Sequence, residues 1–406
     1  MPDVSFSGRR VPLAEVQEHP SRHASALERA KRTPGHALCH CRPSLPRKLV
    51  IRRYGTLFHL AGWPDDGVNR VEGCDFRKDA QSKTSVSNDS TAAIVCGPDG
   101  LDVRLDASLV QRDGLTSTDR APETGGGARA SRRSAPLLAF IHALWESAGL
   151  SSWSSTSMAR GWGAVNSILL AGLGDSARIN GAAAEDALHI MRRYEESGRE
   201  AINAEFDAFM GRITNDGSTS RRALLLGEIG DVAATQYGYA ITLRQRKQRY
   251  FTTPELAERA QKSYAHAWRA IGVSDARVIA LLLVERTTKG HLRAVDLAMM
   301  LCSSAFLPCD SIHEVAMANR LVAERRVFEK PIRMTDGDDM LPDFVLLDTR
   351  PPTHIEVYGM NGLATYERRK QEKQRLRAER GIPAVEWNID RETLNTVLLP
   401  PSAAQA

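Results

Sequence analysis

Asp343 and Glu356 are the two carboxylates in this 406-residue chain whose setting best suits chemistry. Pro342-Asp343 opens a run of strand formers, Phe344-Val345-Leu346-Leu347. Across the Pro351-Pro352 turn lies a second strand, Thr353-His354-Ile355-Glu356-Val357-Tyr358. In it Thr353, Ile355 and Val357 alternate with His354, Glu356 and Tyr358. Strand, tight turn and strand bring both acids to one edge of a small sheet. There they can hold a hard divalent cation, Mg²⁺ or Mn²⁺, which prefers oxygen ligands. Such an ion activates water and neutralises charge on a phosphate, and the Val357 carbonyl is a further donor.

A cationic helix follows. Tyr366 to Arg377 consists of strong helix formers, and Gly381 suits its C-terminal cap. Tyr366, Lys370, Lys373 and Arg377 are spaced four, three and four apart, so they share one face. Thr365 to Gly381 contains seven Lys/Arg against three Glu, which fits a phosphate backbone. Arg368, Arg369 and Arg377 are the candidates to grip it. A third strand, Ile382 to Trp387, closes the unit. The bland alternative is a small α/β unit whose acids are solvated rim residues.

Near the other end, Cys39, Cys41 and Cys74 flank a predicted hairpin, Lys48–Arg53 and Tyr54–Leu60. Zinc takes four N or S ligands, so His36, His40 or His59 must complete a zinc site here. Three free thiols in a small core is the competing reading.

The C-terminal set resembles the PD-(D/E)xK nuclease superfamily, with its restriction-endonuclease-like fold. Pro342-Asp343 and Glu356-Val357-Tyr358 match its motif, except that Tyr358 stands where the family has lysine. The resemblance implies that Lys370 or Lys373 supplies the missing cation from the helix. It also implies that Glu314, on a preceding helix, joins the site. Most of the chain further resembles an uncharacterised bacterial domain-of-unknown-function family, the one numbered eleven seventy-three, often carried on integrative and conjugative elements. That likeness rests on Cys39-x-Cys41 with Cys74, on Leu144 to Leu150 followed by Trp153, and on Phe328-Glu329-Lys330-Pro331. It continues in Leu341 to Phe344, Glu356 to Gly359, and Tyr366-x-x-Arg369-Lys370-x-x-Lys373. Where the family carries a histidine before its third cysteine, this chain has Asn69 and Arg70. Together the likenesses imply a metal-dependent nuclease, or nuclease-like DNA-processing factor, of a mobile element. The alternative is an inactive nucleic-acid-binding or scaffold protein that keeps the nuclease fold; Tyr358 is its best support.

These parts need a larger frame. The length predicts two to three domains. Hydrophobic residues at 42% and charged residues at 25% are ordinary for a soluble globular protein. A net charge of +5 is compatible with nucleic acid, and DNA is the expected partner. The N-terminus has no apolar signal segment, and the longest apolar run, Val278 to Val284, is too short to span a bilayer; a cytoplasmic protein with no membrane partner is expected. The expected fold class is α+β and multidomain. A basic N-terminal segment (1–35) precedes a small β-rich module with the cysteines (36–111) and a flexible linker (112–135). A helical region (136–213) and an α+β region (214–300) lead to the α/β nuclease-like domain (301–400). Predicted helices lie at about 136–148, 159–172, 183–195, 197–211 and 254–271. Trp162 is expected in the core and Arg160 on the surface. Gln81 to Ala92, Arg112 to Ser134 and the acidic run Asp336–Asp339 read as mobile or solvated loops.

Overall fold

The computed structural model of the chain describes residues 3–71, 73–77, 92–97, 100–112, 134–154, 160–334, 339–359 and 364–403. Most of the two Ser/Thr/Gly/Arg-rich stretches, with Arg129, Arg132 and Arg133, and most of the acidic run 336–339 lie outside these residues. Among the described residues no helix is long and apolar enough to cross a membrane. The fold is mixed α+β, with several sheets.

The N-terminal sheet has five antiparallel strands in the order Arg9–Pro12, Asp3–Phe6, Ala37–Cys39, Arg47–Tyr54 and Leu57–Gly62. The first 35 residues are therefore part of the cysteine-bearing module, not a separate basic arm. The helical pattern readable from Leu13 to Lys31 is amphipathic, and two short strands precede it. Val4 and Phe6 point into the core, and the helix Pro20–Arg32 buries Ala26, Leu27 and Ala30 against it. Pro20 occupies that helix's first turn, where its missing N–H is harmless.

The centre is a closed five-stranded ring. Its strands are β1 (Ala223–Thr235), β2 (Gly238–Leu243), β3 (Arg249–Thr252), β4 (Ala276–Arg286) and β5 (Leu292–Ser303). Around the ring the order is β1-β2-β3-β5-β4 and back to β1. The long β1 serves both sides: Ala223 to Glu228 pair with β4, and Ile229 to Thr235 with β2. The change-over falls at Gly230, where the register slips. A Cβ there would lie 3.2 Å from the Arg244 backbone, so glycine permits the close approach. Leu282 and Val284 face the ring's interior core, whereas Leu281 and Leu283 face the opposite core. This strand is buried on both faces, as its continuous apolar run predicts.

The helices α1 (Leu137–Ala148) and α2 (Trp162–Leu173) cover the outer face of β4, β5 and the first half of β1 through Phe140, Ile141, Leu144, Val165 and Leu169. Trp162 is buried there. Arg160 differs from expectation: its guanidinium lies over the Trp153 ring and donates to the Leu150 and Ser152 carbonyls. The predicted helix at 183–195 is only Ala184–Ala187. Leu188–Ile190 instead pairs in parallel with β1 and is wholly buried, so sheet pairing outweighs local helix preference. A third helix, α3 (Arg199–Met210), lies at one end of the ring; between β3 and β4 the expected helix breaks at Tyr264 into α4 (Pro254–Ser263) and α5 (Ala265–Arg269).

The C-terminal unit runs α6 (Ile312–Ala323), β6 (Phe328–Glu329), β7 (Phe344–Leu346), β8 (Thr353–Tyr358), α7 (Ala364–Arg380) and β9 (Ala384–Asn388). Its sheet order is β9-β8-β7-β6, antiparallel except for the parallel β8–β9 pair. The crossover helix α7 makes that parallel pairing reachable. One further strand, Ser152–Trp153, adds to the β6 edge. The unit thus draws on sequence well before residue 301, and its core is continuous with the ring's interior.

Candidate functional site

The site is built on the turn that opens β7, on the middle of β8 and on two helices. β8 alternates as expected: Ile355 and Val357 pack into the main core, and Glu356 and Tyr358 lie on the face beneath α7. Asp343 stands one residue before β7. Its Oδ2 accepts the Val357 N–H at 2.7 Å, which fastens the aspartate to the neighbouring strand. Among the described residues Oδ1 accepts no hydrogen bond.

Glu356 is 1% exposed and fully ion-paired. Its Oε2 accepts from Lys373 Nζ at 2.7 Å, and its Oε1 from Arg377 at 2.8 Å. Lys373 also donates to the Leu341 carbonyl at 2.6 Å, so it bridges both strands of the site. That leaves one of its three N–H donors. One turn before Lys373, Lys370 lies over the Tyr358 ring, 4.0 Å from its centroid. Lys373 is therefore the helix lysine that meets the acids; Lys370 is not. The shared face read from the sequence holds, but each position meets a different residue of β8.

Arg377 is also placed differently from expectation. It is buried, and besides Glu356 it donates to Glu386 on β9 and to the Tyr358 hydroxyl. It orders the site from beneath instead of gripping a backbone. Arg368 and Arg369 are exposed on α7. Tyr358 donates its hydroxyl to Glu386 at 3.1 Å.

Glu314 arrives from α6. Ser311 caps that helix by accepting the Glu314 N–H, and the Glu314 carboxylate reaches back to the Asp310 N–H at 3.1 Å. This is close to a capping box, except that the carboxylate meets the N–H of the residue before the cap instead of the cap's own. The carboxylate has a second partner, which sequence reasoning did not assign to the site. Lys330, 3% exposed, donates to Glu314 Oε2 at 2.8 Å and to Asp310 Oδ2 at 2.9 Å. The available signal was a lone lysine directly after a short buried strand, in the Phe328-Glu329-Lys330-Pro331 motif.

The electrostatics follow from burial. Desolvation pushes Glu314 up to about 7 against the pull of Lys330, with Asp343 and Asp310 adding to the rise. Asp343 is also raised, first by burial and then by Glu356, with Lys330 opposing. Burial raises Glu356, and Lys373 opposes it. Burial works against the Lys330 charge, but Glu314, Asp310 and Asp343 outweigh it and hold its proton tightly. Crowded, partly desolvated carboxylates with fixed cations around them are typical of functional sites as well as of structural ion-pair networks.

The second cluster is confirmed in geometry. Cys39, Cys41 and Cys74 place their sulfurs within 4.8 Å of one another, and Cys39 and Cys74 are 3.9 Å apart. Tetrahedral zinc with Zn–S of about 2.3 Å requires sulfurs about 3.8 Å apart. The cluster can hold a metal ion such as zinc. The hydrogen bond between the buried pair pulls the Cys74 thiol down and pushes Cys39 up. No expected histidine joins them. His40 bonds to Ser5 Oγ at 2.8 Å, His59 to Ser167 Oγ at 2.8 Å, and His36 to the Pro34 carbonyl at 3.3 Å. Arg70 instead approaches Cys74, fully buried, and favours its thiolate.

No curated protein and no solved structure matches the chain. A family model described as a protein of unknown function, DUF1173, matches residues 11–390. Since the match spans nearly the whole chain, this protein belongs to the DUF1173 family.

Proposed function

We propose that the C-terminal site hydrolyses phosphodiester bonds of nucleic acid, DNA in the first instance, with a divalent cation. One observation carries this reading: Asp343, Glu356 and Lys373, far apart in sequence, converge on the edge of β7 and β8. The element order supports it. Helix, three antiparallel strands, crossover helix and a parallel fourth strand is the arrangement expected of a PD-(D/E)xK core.

The donor set fits a hard ion. Asp343 has an oxygen without a hydrogen bond, Glu356 is adjacent in charge, and a cation would relieve the desolvated carboxylates. Asp343, Glu356 and the Val357 carbonyl would hold Mg²⁺ or Mn²⁺, which would activate water and offset charge on the scissile phosphate. Lys373 holds Glu356 in place and keeps one N–H donor for the water or a phosphate oxygen. Arg377 fixes the second oxygen of Glu356 and ties it to β9. Glu314 and Lys330 form the back wall and set the charge around Asp343. Arg368 and Arg369 give sequence-independent contact with the backbone.

A second reading has its own observation. Both oxygens of Glu356 are already ion-paired, so a metal must displace a cation or share its oxygen. On that reading the site is an ion-pair network in an inactive nucleic-acid-binding protein. Labelled single- and double-stranded DNA, incubated with Mg²⁺ or Mn²⁺, separates the two. Metal-dependent cutting by the wild type that Glu356→Ala abolishes supports the nuclease. Salt-sensitive binding by both proteins without cutting supports the inactive reading.

A further inference from the structure

We infer that the central ring is a single-strand nucleic-acid-binding barrel, whose binding face is the outer side of β2 and β3 together with the β4–β5 loop. The topology is the first ground. The order β1-β2-β3-β5-β4-β1, a parallel β3–β5 contact, a long β1 shared by both sides, and helices between β3 and β4 together make the connectivity of an OB-type barrel. Barrels of that type bind oligonucleotides on the strand 2–3 face, flanked by the 1–2 and 4–5 loops.

The side chains on that face are the second ground, because topology alone assigns no function. The far side of the ring is covered by α1 and α2. On the β2–β3 side the exposed residues belong to β3. Tyr250 and Thr252 of β3 are buried, while the alternate residues Arg249 and Phe251 are exposed. Phe251 is 37% exposed on the outer side of its strand. Its ring meets His291 of the β4–β5 loop edge to face, 6.2 Å between centroids. Tyr237, 82% exposed, stands at the β1–β2 turn. The following Gly238 has φ +143°, which an L-residue resists, so this turn is fixed by its glycine. Exposed aromatic rings can stack bases, and stacking tolerates any sequence because every base has a π-face.

A cleft of about 480 Å³ adjoins Phe251, between Arg249, Gln248, Arg286, Gly290 and His291. Arg286 shapes it by donating to the Met210, Ile213 and Gly290 carbonyls, which holds the loop against α3. Among the described residues Arg249, Lys247 and Lys289 have no carboxylate partner. The carboxylate in the cleft wall, Asp207, is paired with Arg246. Unpaired cations around exposed rings favour a polyanion with stackable bases over an apolar or acidic-poor partner. The reading deepens the nuclease proposal by giving it a strand-holding surface, yet it rests on none of the residues of that site.

The test is fluorescence anisotropy with a fluorescein-labelled thymidine oligonucleotide and its duplex form, without added divalent metal. Proteins tested are the wild type, Phe251→Ala, Arg249→Glu, Lys289→Ala and Arg32→Ala, each checked by its melting curve. The wild type should prefer the single strand. Loss of one stacked base corresponds to roughly a 5- to 150-fold weaker affinity for Phe251→Ala. Lys289→Ala should lower the salt slope by about 0.7. Arg32→Ala, an exposed cation on the N-terminal helix, should bind like the wild type, and the absence of divalent metal keeps this result separate from the fate of the nuclease reading. Equal affinity for duplex and single strand, or wild-type affinity in folded Phe251→Ala and Arg249→Glu, overturns the inference. No binding by the wild type overturns it as well.

Discussion

Lys330→Met isolates the charge balance behind the acids. In the folded chain Lys330 is the buried partner of Glu314, at 2.8 Å. Removing one member of a buried pair typically costs about 3–5 kcal/mol, because the other charge is stranded. Here the cost must depend on pH. Glu314 titrates near 7 in the folded state, well above an ordinary glutamate. A raised carboxyl pKa means that the native state holds the proton that the unfolded state has released. Stability therefore falls as pH climbs from the ordinary glutamate range to about 7 and is then level in the wild type. Without Lys330 the Glu314 pKa rises further, so the variant keeps losing stability above pH 7. The expected extra loss is up to about 1.4 kcal/mol per pH unit. Urea unfolding at pH 6, 7 and 8, followed by the fluorescence of Trp153 and Trp387 in this sheet, reads the effect. Glu314→Gln in the Lys330→Met background should recover most of the loss at pH 8 and little at pH 6. A penalty that is the same at pH 6 and pH 8, with no recovery by Glu314→Gln, would refute the reasoning.

The remaining expectations concern the lysines, the thiols and two histidines. Lys373→Ala should lower cleavage by about 10²- to 10³-fold, the scale of losing one donor at a developing charge, whereas Lys370→Ala should stay within a few-fold. Equal losses in the two variants would remove the distinction that the Glu356–Lys373 bond implies. Protein grown with zinc should release a single ion to a colorimetric chelator on thiol modification; Cys74→Ser should release none, and a metal-free wild type would show the cluster to be three free thiols. His59 and His189 are buried, and desolvation lowers them to about 3 and about 4. Both contribute stability above about pH 6.5 that drains away as pH falls towards those values. Each accounts for up to about 2 kcal/mol at pH 5, and His189→Gln should blunt the acid slope.

Much of the C-terminal unit was legible because its signals are local. The Pro-Pro turn, the alternation in β8 and the i, i+3, i+4 face of α7 each follow from neighbours in sequence. Glu314 was reached through the superfamily resemblance, as a glutamate on a helix before the first strand. What could not be read depends on distant partners. Arg377 looks like any basic helix residue until β8 and β9 bring Glu356 and Glu386 beneath it. Lys330 is one lysine after a short strand until α6 presents Glu314. The helical pattern from Leu13 to Lys31 was legible, but the charge of residues 1–35 hid the two strands that complete the cysteine-bearing sheet. The ring was visible only as separate strands, since its closure rests on β1 pairing with two partners and on a single β3–β5 contact, Phe251 with Arg293. The cysteine cluster was legible as three thiols, but the histidine expected beside them is engaged elsewhere in every case.

The most direct measurement is the single-turnover rate at which the protein cuts end-labelled DNA in Mg²⁺, wild type against Glu356→Ala. A metal-dependent rate in the wild type that falls by at least about 10²-fold in a folded Glu356→Ala is the predicted result. Cutting that is equally fast in Glu356→Ala, or none by the wild type with either Mg²⁺ or Mn²⁺, would contradict it and leave the acids as an ion-pair network.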